Sequence, residues 1–338
     1  MKLIDTIYVE EEVIKHPRTE TILKRFRNAR HVTIGRYGEV FNKRSQNFRL
    51  QKTQPALILA RKHSGRVLKT PEGFGIGAKN NFYFAHMLNC LYDCRYCFLQ
   101  GMYSSSNYVL FVNFEEFDAD IHATIHRLKE EAVTFFSGYD CDSLAFESIS
   151  GFATHIIPIF RHYPSAILEF RTKSTAIRSL EKITPASNCV IAFSLIPHAM
   201  SKVLEPKVSS IQKRIDTLKK LADLGWKIGL RFDPLICGKD WRGHYKHLFE
   251  TVFMSIPNNS IHSVSYGPLR FPKAVFRNVS RLYPEEKLFA GLLSQKDGMF
   301  SYRSELEEEM SSFCQKSFAK FVPKSIVFRC ASDKNQGE

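Results

Sequence analysis

Long purely apolar runs are lacking in the 338-residue chain: its uncharged stretches of 19 residues, 96–114, 183–201 and 251–269, are each broken by polar residues and by glycine or proline, so a membrane-crossing helix is not expected. The chain reaches Glu10, Glu11 and Glu12 before an apolar stretch of signal-peptide length can build up, which argues against a secretory leader. Its eight cysteines, at 90, 94, 97, 141, 189, 237, 314 and 330, lack the even pairing of a disulfide framework, and a reducing cytoplasm is the expected compartment. Internal repeats and low-complexity tracts are also missing. Acidic residues are the scarce charge: 34 Asp and Glu against 48 Lys and Arg leave a net charge of +14, with a pI near 9.4. A field of that sign concentrates phosphate-bearing partners, although a basic solvated surface has the same composition. With 44% apolar and 24% charged residues the chain is an ordinary globular sequence, long enough for one large α/β domain or two smaller ones.

What stands out is Asn89-Cys90-Leu91-Tyr92-Asp93-Cys94-Arg95-Tyr96-Cys97-Phe98-Leu99-Gln100, where Cys90, Cys94 and Cys97 crowd into one short stretch. A structural zinc site takes four N or S ligands, normally as two spaced pairs. Three clustered thiolates instead suit a [4Fe-4S] cluster with one iron left open. A zinc knuckle completed by His86 uses the same residues, and three unliganded buried thiols are a further reading, disfavoured because crowded thiols invite oxidation or metal capture. The spacing, with aromatic Tyr96 before the last cysteine, resembles the radical S-adenosylmethionine (SAM) superfamily. That resemblance implies a cluster whose open iron chelates the amino and carboxylate groups of SAM.

Along the chain, residues 1–80 carry short β-like runs and basic clusters and are expected to form an N-terminal extension. Thr70-Pro71-Glu72-Gly73-Phe74-Gly75-Ile76-Gly77 is glycine-rich but lacks the strand, helix and Gly-Lys-Ser/Thr ending of a phosphate loop, and reads as a connector. From 81 to 284 short apolar runs alternate with helix-length segments, the rhythm of parallel βαβ units. Strands are expected over 82–86, 133–137, 167–172, 190–195, 228–232 and 260–266, and helices over 118–131, 151–162, 175–181, 209–224, 244–254 and 272–282. Six such units point to an α/β fold of the partial (βα)6 TIM-barrel type, with the cysteine loop at the strand ends where such folds place their active sites. A C-terminal segment, 285–338, adds a charged helix over 304–319, a strand over 325–330 and a polar tail read as disordered over 333–338.

Beyond the cysteines, the order of Phe170-Arg171-Thr172-Lys173, Phe193-Ser194, Glu205-Pro206 with Arg214, Arg270-Phe271-Pro272-Lys273 and Gly298-Met299-Phe300-Ser301-Tyr302-Arg303 resembles the spore photoproduct lyase family. The resemblance implies a radical SAM lyase that reverses a thymine dimer in DNA, with an external electron donor such as a flavodoxin or ferredoxin. It places Lys173 by the SAM carboxylate, and Ser194 and Asp142 beside the cofactor. Two departures follow. Where the family has Cys-Thr-Ser-Asp this chain has Tyr139-Asp140-Cys141-Asp142, so the hydrogen donor falls to Cys141, with Tyr139 as the alternative; and Phe98 replaces a tyrosine of the radical path, leaving Tyr96. His122, His126, Cys189, Cys237, Cys314 and Cys330 have no ligand spacing and read as core or surface residues. A basic surface does not name its polymer, so RNA or a protein as the radical target stays open, as does a nucleic-acid-binding protein whose cluster is structural.

Overall fold

The computed structural model describes residues 4–129 and 131–330; the tail read as disordered over 333–338 lies outside them. The first strands are β1 (Thr6–Glu10), β2 (Arg30–Ile34), β3 (Leu57–Ala60), β4 (Leu68–Lys69), β5 (Asn80–Phe84), β6 (Met87–Leu88) and β7 (Tyr108–Phe111). They are followed by β8 (Val133–Ser137), β9 (Ala166–Thr172), β10 (Cys189–Ser194), β11 (Lys227–Leu235) and β12 (Ile261–Pro268). The last are β13 (Arg270–Pro272), β14 (Ser294–Lys296), β15 (Met299–Ser301) and β16 (Val327–Arg329).

The strands from β5 to β12 that were legible as apolar runs lie within three residues of their expected bounds, the end of β11 differing most. They form an eight-stranded sheet in the order β16-β12-β11-β10-β9-β8-β5-β4, parallel except where β4 runs antiparallel to β5. This curled sheet is the partial TIM-type barrel. Its inner strands are buried on both faces, which is why β10 reads Cys-Val-Ile-Ala-Phe-Ser without alternation.

Residues 1–80 build more than short runs. β1, β2 and β3 make a parallel sheet that β7 and β6 extend, in the order β2-β1-β3-β7-β6, so the sheet also draws on strands beyond residue 80. Between β1 and β2, Pro17–Arg25 is helical, with Pro17 at its first position and His16 Nδ1 accepting from Arg18 N. Aromatic rings join the two sheets: His86 lies flat on Phe152 at 4.0 Å, and Phe114 meets the same ring edge-on at 4.8 Å.

One expected helix is not formed. Residues 175–181 are irregular apart from a single 3-10 turn, Leu180–Lys182. Side chains there supply the backbone with competing partners: Thr172 Oγ1 accepts from Ser174 N and Ser174 Oγ from Ala176 N. No helix among the described residues is long and apolar enough to cross a membrane.

Candidate active site

The cysteine loop leaves β6 through Asn89, a buried residue with a left-handed φ of 66°, whose amide donates to Ser105 O and Asn107 O at 2.8 and 2.7 Å. Lys52 Nζ then donates to the carbonyls of Cys90 and Tyr92 at 3.1 and 3.2 Å. From the other side the loop amides of Asp93 and Arg95 donate to Pro206 O and Leu204 O. Beneath them Tyr96 Oη donates to Glu205, whose second oxygen takes Ser201 Oγ and the fully buried Arg214 guanidinium. Glu205-Pro206 and Arg214, visible in the sequence only as family-like pieces, thus buttress the loop. The helix Lys273–Leu282 closes over its end. A Cβ on Gly101 would stand 2.6 Å from Val279 Cγ2 and 2.8 Å from Val275 O, so only glycine admits this approach.

Cys90, Cys94 and Cys97 line one wall of a cavity of about 540 Å³, within the usual range for small-molecule sites. Burial raises all three thiols, Cys90 to about 12; forming thiolates there requires a compensating cation, as a bound metal centre would supply. Among the described residues, no three His, Cys, Asp or Glu side chains gather as a site for one metal ion. His86, offered as a fourth zinc ligand, does not line the cavity that the three thiols share. His86 is stacked on Phe152, its protonation held down to about 3 by burial and then by Lys62. A cubane asks for a different arrangement, one thiolate on each of three irons, and the donor set fits it.

Opposite the thiols the ends of β8, β9 and β10 bring Asp142, Lys173 and Ser194 onto the same cavity. Asp142 is heavily used: Oδ1 accepts from Leu144 N, Ala145 N and Thr172 Oγ1, and Oδ2 from Lys173 N at 2.7 Å. Only Oδ2 keeps a lone pair for a ligand. Lys173 Nζ lies 5.6 Å from the centre of the Tyr96 ring. Burial works against its charge, but Cys94, Glu205, Cys97 and Asp142 around it raise its pKa overall.

At the end of β8, Tyr139 stacks on Tyr83 at 4.3 Å and leans on Phe98 at 5.7 Å, while Cys141 is buried; both line the cavity. Cys189 begins β10 and Cys237 follows β11, and neither reaches the wall. Three features of the wall escaped the sequence reading. The segment 70–75, read as a connector, forms part of it. Arg270, given above only as part of a family-like run, sits on β13 with its guanidinium 4.8 Å from the Phe74 ring centre. Cys330, read as a core or surface residue, lines the cavity from the end of β16. Only the order of strands in the sheet could have placed it there.

Comparison with known proteins gives the same picture. The family model described as "Spore photoproduct lyase" matches residues 3–328. The spore photoproduct lyase of Bacillus subtilis (strain 168) is 26% identical over 202 residues, which cover 59% of this chain and 59% of that protein. That of Geobacillus sp. (strain Y412MC61) is 24% identical over 252 residues, 70% of this chain and 73% of the relative. Among solved structures, a spore photoproduct lyase complexed with dinucleoside spore photoproduct superposes with a TM-score of 0.81 at 18% identity, covering 97% of this chain and 98% of that one. A variant of that enzyme with bound AdoMet and dinucleoside spore photoproduct gives a TM-score of 0.83 over the same coverage.

Proposed function

Because the chain belongs to the spore photoproduct lyase family, we propose that it is a radical SAM lyase that repairs a thymine dimer lesion in DNA. The observation that carries this reading is that Cys90, Cys94 and Cys97 share one cavity with Asp142, Lys173 and Ser194. Bound there, a [4Fe-4S] cluster and SAM would supply 5′-deoxyadenosyl radical chemistry, the electron coming from an external donor of the flavodoxin or ferredoxin class.

The chain's own residues bind, orient and exclude water. Cys90, Cys94 and Cys97 hold the cluster. Lys173 would meet the SAM carboxylate as a point charge and Asp142, whose Oδ2 keeps a lone pair, would accept from the cofactor, with Ser194 on the same cavity at the end of β10. Tyr96 is held by Glu205, so its phenolic proton has an acceptor when an electron is drawn from the ring. At the end of β8 the wall offers a thiol, Cys141, and a phenol, Tyr139, for the hydrogen returned to the substrate. A basic chain at +14 draws in the phosphate backbone by long-range attraction.

The test is SAM turnover by anaerobically reconstituted protein carrying about four irons per chain. Formation of 5′-deoxyadenosine with DNA carrying the spore photoproduct, and repaired thymine only there, supports the reading. Turnover on RNA or a protein in its place moves the substrate, and iron without any turnover leaves a structural cluster.

A further inference from the structure

The parallel edge strand β16 carries Cys330 to the same rim of the barrel as Cys141, Lys173 and Ser194, six strands across the sheet from β5. Its amide donates to Tyr266 O at 2.8 Å on β12. Beside it β12 offers Gly267, where a Cβ would fall 2.4 Å from Cys330 O and 3.2 Å from Cys330 Cβ. A side chain there would push Cys330 out of its place, so the glycine keeps the thiol on the wall. The segment 73–77 faces Phe328 and Arg329 across a neighbouring cleft, so β16 closes the curled sheet against the front of the cavity.

The two thiols outside the cluster loop have different surroundings. The ionisable neighbours of Cys141 are Cys90, Asp142, Asp140 and Lys62, of which Cys90 and Asp142 line the cofactor side of the cavity. Those of Cys330 are Asp233, Arg171 and Arg270, all on the wall of the cavity. Burial pushes the Cys330 thiol up to about 12, with Asp233 adding to the effect, so it retains its hydrogen at neutral pH. The same cavity also has an unanswered polar group, Ser137 Oγ, on a residue 2% exposed and without a hydrogen-bond partner.

Resting on the lyase reading above, we infer that Cys330 is the residue that returns a hydrogen atom to the substrate, and that Cys141 packs beside the cofactor. The Cys330 S–H bond breaks homolytically and a C–H bond forms on the thymine-centred carbon radical, one proton and one electron moving together. The thiyl left on Cys330 is restored by one electron from an iron–sulfur or flavin donor protein and one proton from water. A thiol suits the step because alkyl thiols give a hydrogen atom to carbon-centred radicals rapidly.

The experiment uses full-length reconstituted protein in D2O, where the thiol becomes S–D, with a dinucleotide carrying the spore photoproduct. Wild type is expected to give thymine bearing one deuterium. Cys330→Ser keeps the size and the polar contact to Asp233 but has no abstractable S–H; it is expected to give at least about a tenfold fall in the labelled product while 5′-deoxyadenosine still forms. Undiminished label from C330S, with loss of label from C141S, overturns the inference and returns the role to Cys141. A second readout needs no turnover: Cys330→Leu enlarges the side chain on the wall and should weaken binding of the dinucleotide, measured by calorimetry, if Cys330 faces the substrate. If wild type repairs nothing, the lyase reading fails, and unchanged dinucleotide binding by Cys330→Leu then removes this inference as well; weakened binding in the absence of repair overturns the hydrogen-donor role and leaves Cys330 as part of a ligand site only.

Discussion

Residue by residue, the site depends on buried charges that are each answered. Glu205 is the clearest: burial opposes its ionisation, but Arg214 and Lys173 hold its carboxyl below the usual range, and Tyr96 donates to it. Replacing it by glutamine leaves Arg214, fully buried, without a counter-charge, which costs about 3–5 kcal/mol and should appear as a lower denaturation midpoint. Tyr96→Phe removes only one donor and should cost about 1 kcal/mol. The acid limb follows from the same shift. A carboxyl whose folded pKa is depressed contributes stability that is present in full above its unfolded value, near 4.5, and lost as pH falls through the folded value. The stability gap between wild type and E205Q should therefore be constant at neutral pH and narrow below about pH 4.5, measured by urea unfolding across that range. Lys173→Ala acts on a different quantity. SAM affinity should fall by about tenfold or more, since a charge-assisted contact is worth about 1.5–3 kcal/mol, while iron content stays unchanged. Equal iron loss in that variant would show that Lys173 supports the loop instead.

At the scale of elements, the cysteine loop is held between Lys52 from the N-terminal region, the segment after the helix His198–Leu204, and the helix Lys273–Leu282. Asn278 of that last helix donates to Gly101 O at 2.9 Å, where the two backbones approach most closely. Gly101→Ala forces Val279 aside and presses on a backbone oxygen that cannot easily yield, an overpacking cost of about 1–3 kcal/mol. A lower thermal midpoint together with reduced iron per chain after reconstitution is the expected outcome; an unchanged midpoint would mean that the helix can shift away. The joint between the sheets is the other vulnerable element, because Phe152 is fully buried and touches His86, Phe114, Phe84 and Phe117. Phe152→Ala should cost about 3–5 kcal/mol by urea denaturation.

Over the whole molecule the relevant quantity is charge. With 48 basic against 34 acidic residues, attraction to DNA is long-range and screened by salt. If about six phosphates are neutralised, affinity for undamaged duplex should drop by about a thousandfold between 50 and 200 mM salt. A flat salt profile would place the +14 charge elsewhere than on a DNA-facing surface. Arg277 and Arg281, exposed on the helix that covers the cysteine loop, fit such a surface, whereas Arg270 belongs to the cavity wall.

The three clustered cysteines, the parallel strands and the order of the family-like pieces were legible in the sequence because each is local. Three cysteines in one loop are neighbours whatever the rest of the chain does, and an apolar run long enough for one strand declares itself without its partners. Locality also misled. Residues 175–181 have the length of a helix, yet the hydroxyls of Thr172 and Ser174 take the amides that a helix would need. The N-terminal sheet was unreadable as a sheet because its strands β6 and β7 arrive after the barrel has begun. Everything that joins distant positions waited for the tertiary structure. Tyr96 meets Glu205 across 109 residues and Tyr283 meets Asp93 across 190. Cys330, unremarkable in sequence, becomes part of the cavity because the sheet curls and its parallel edge strand delivers its end to the same rim as β8. Spacing along a chain fixes which residues share a loop, but strand order and sheet curvature decide which loops share a cavity.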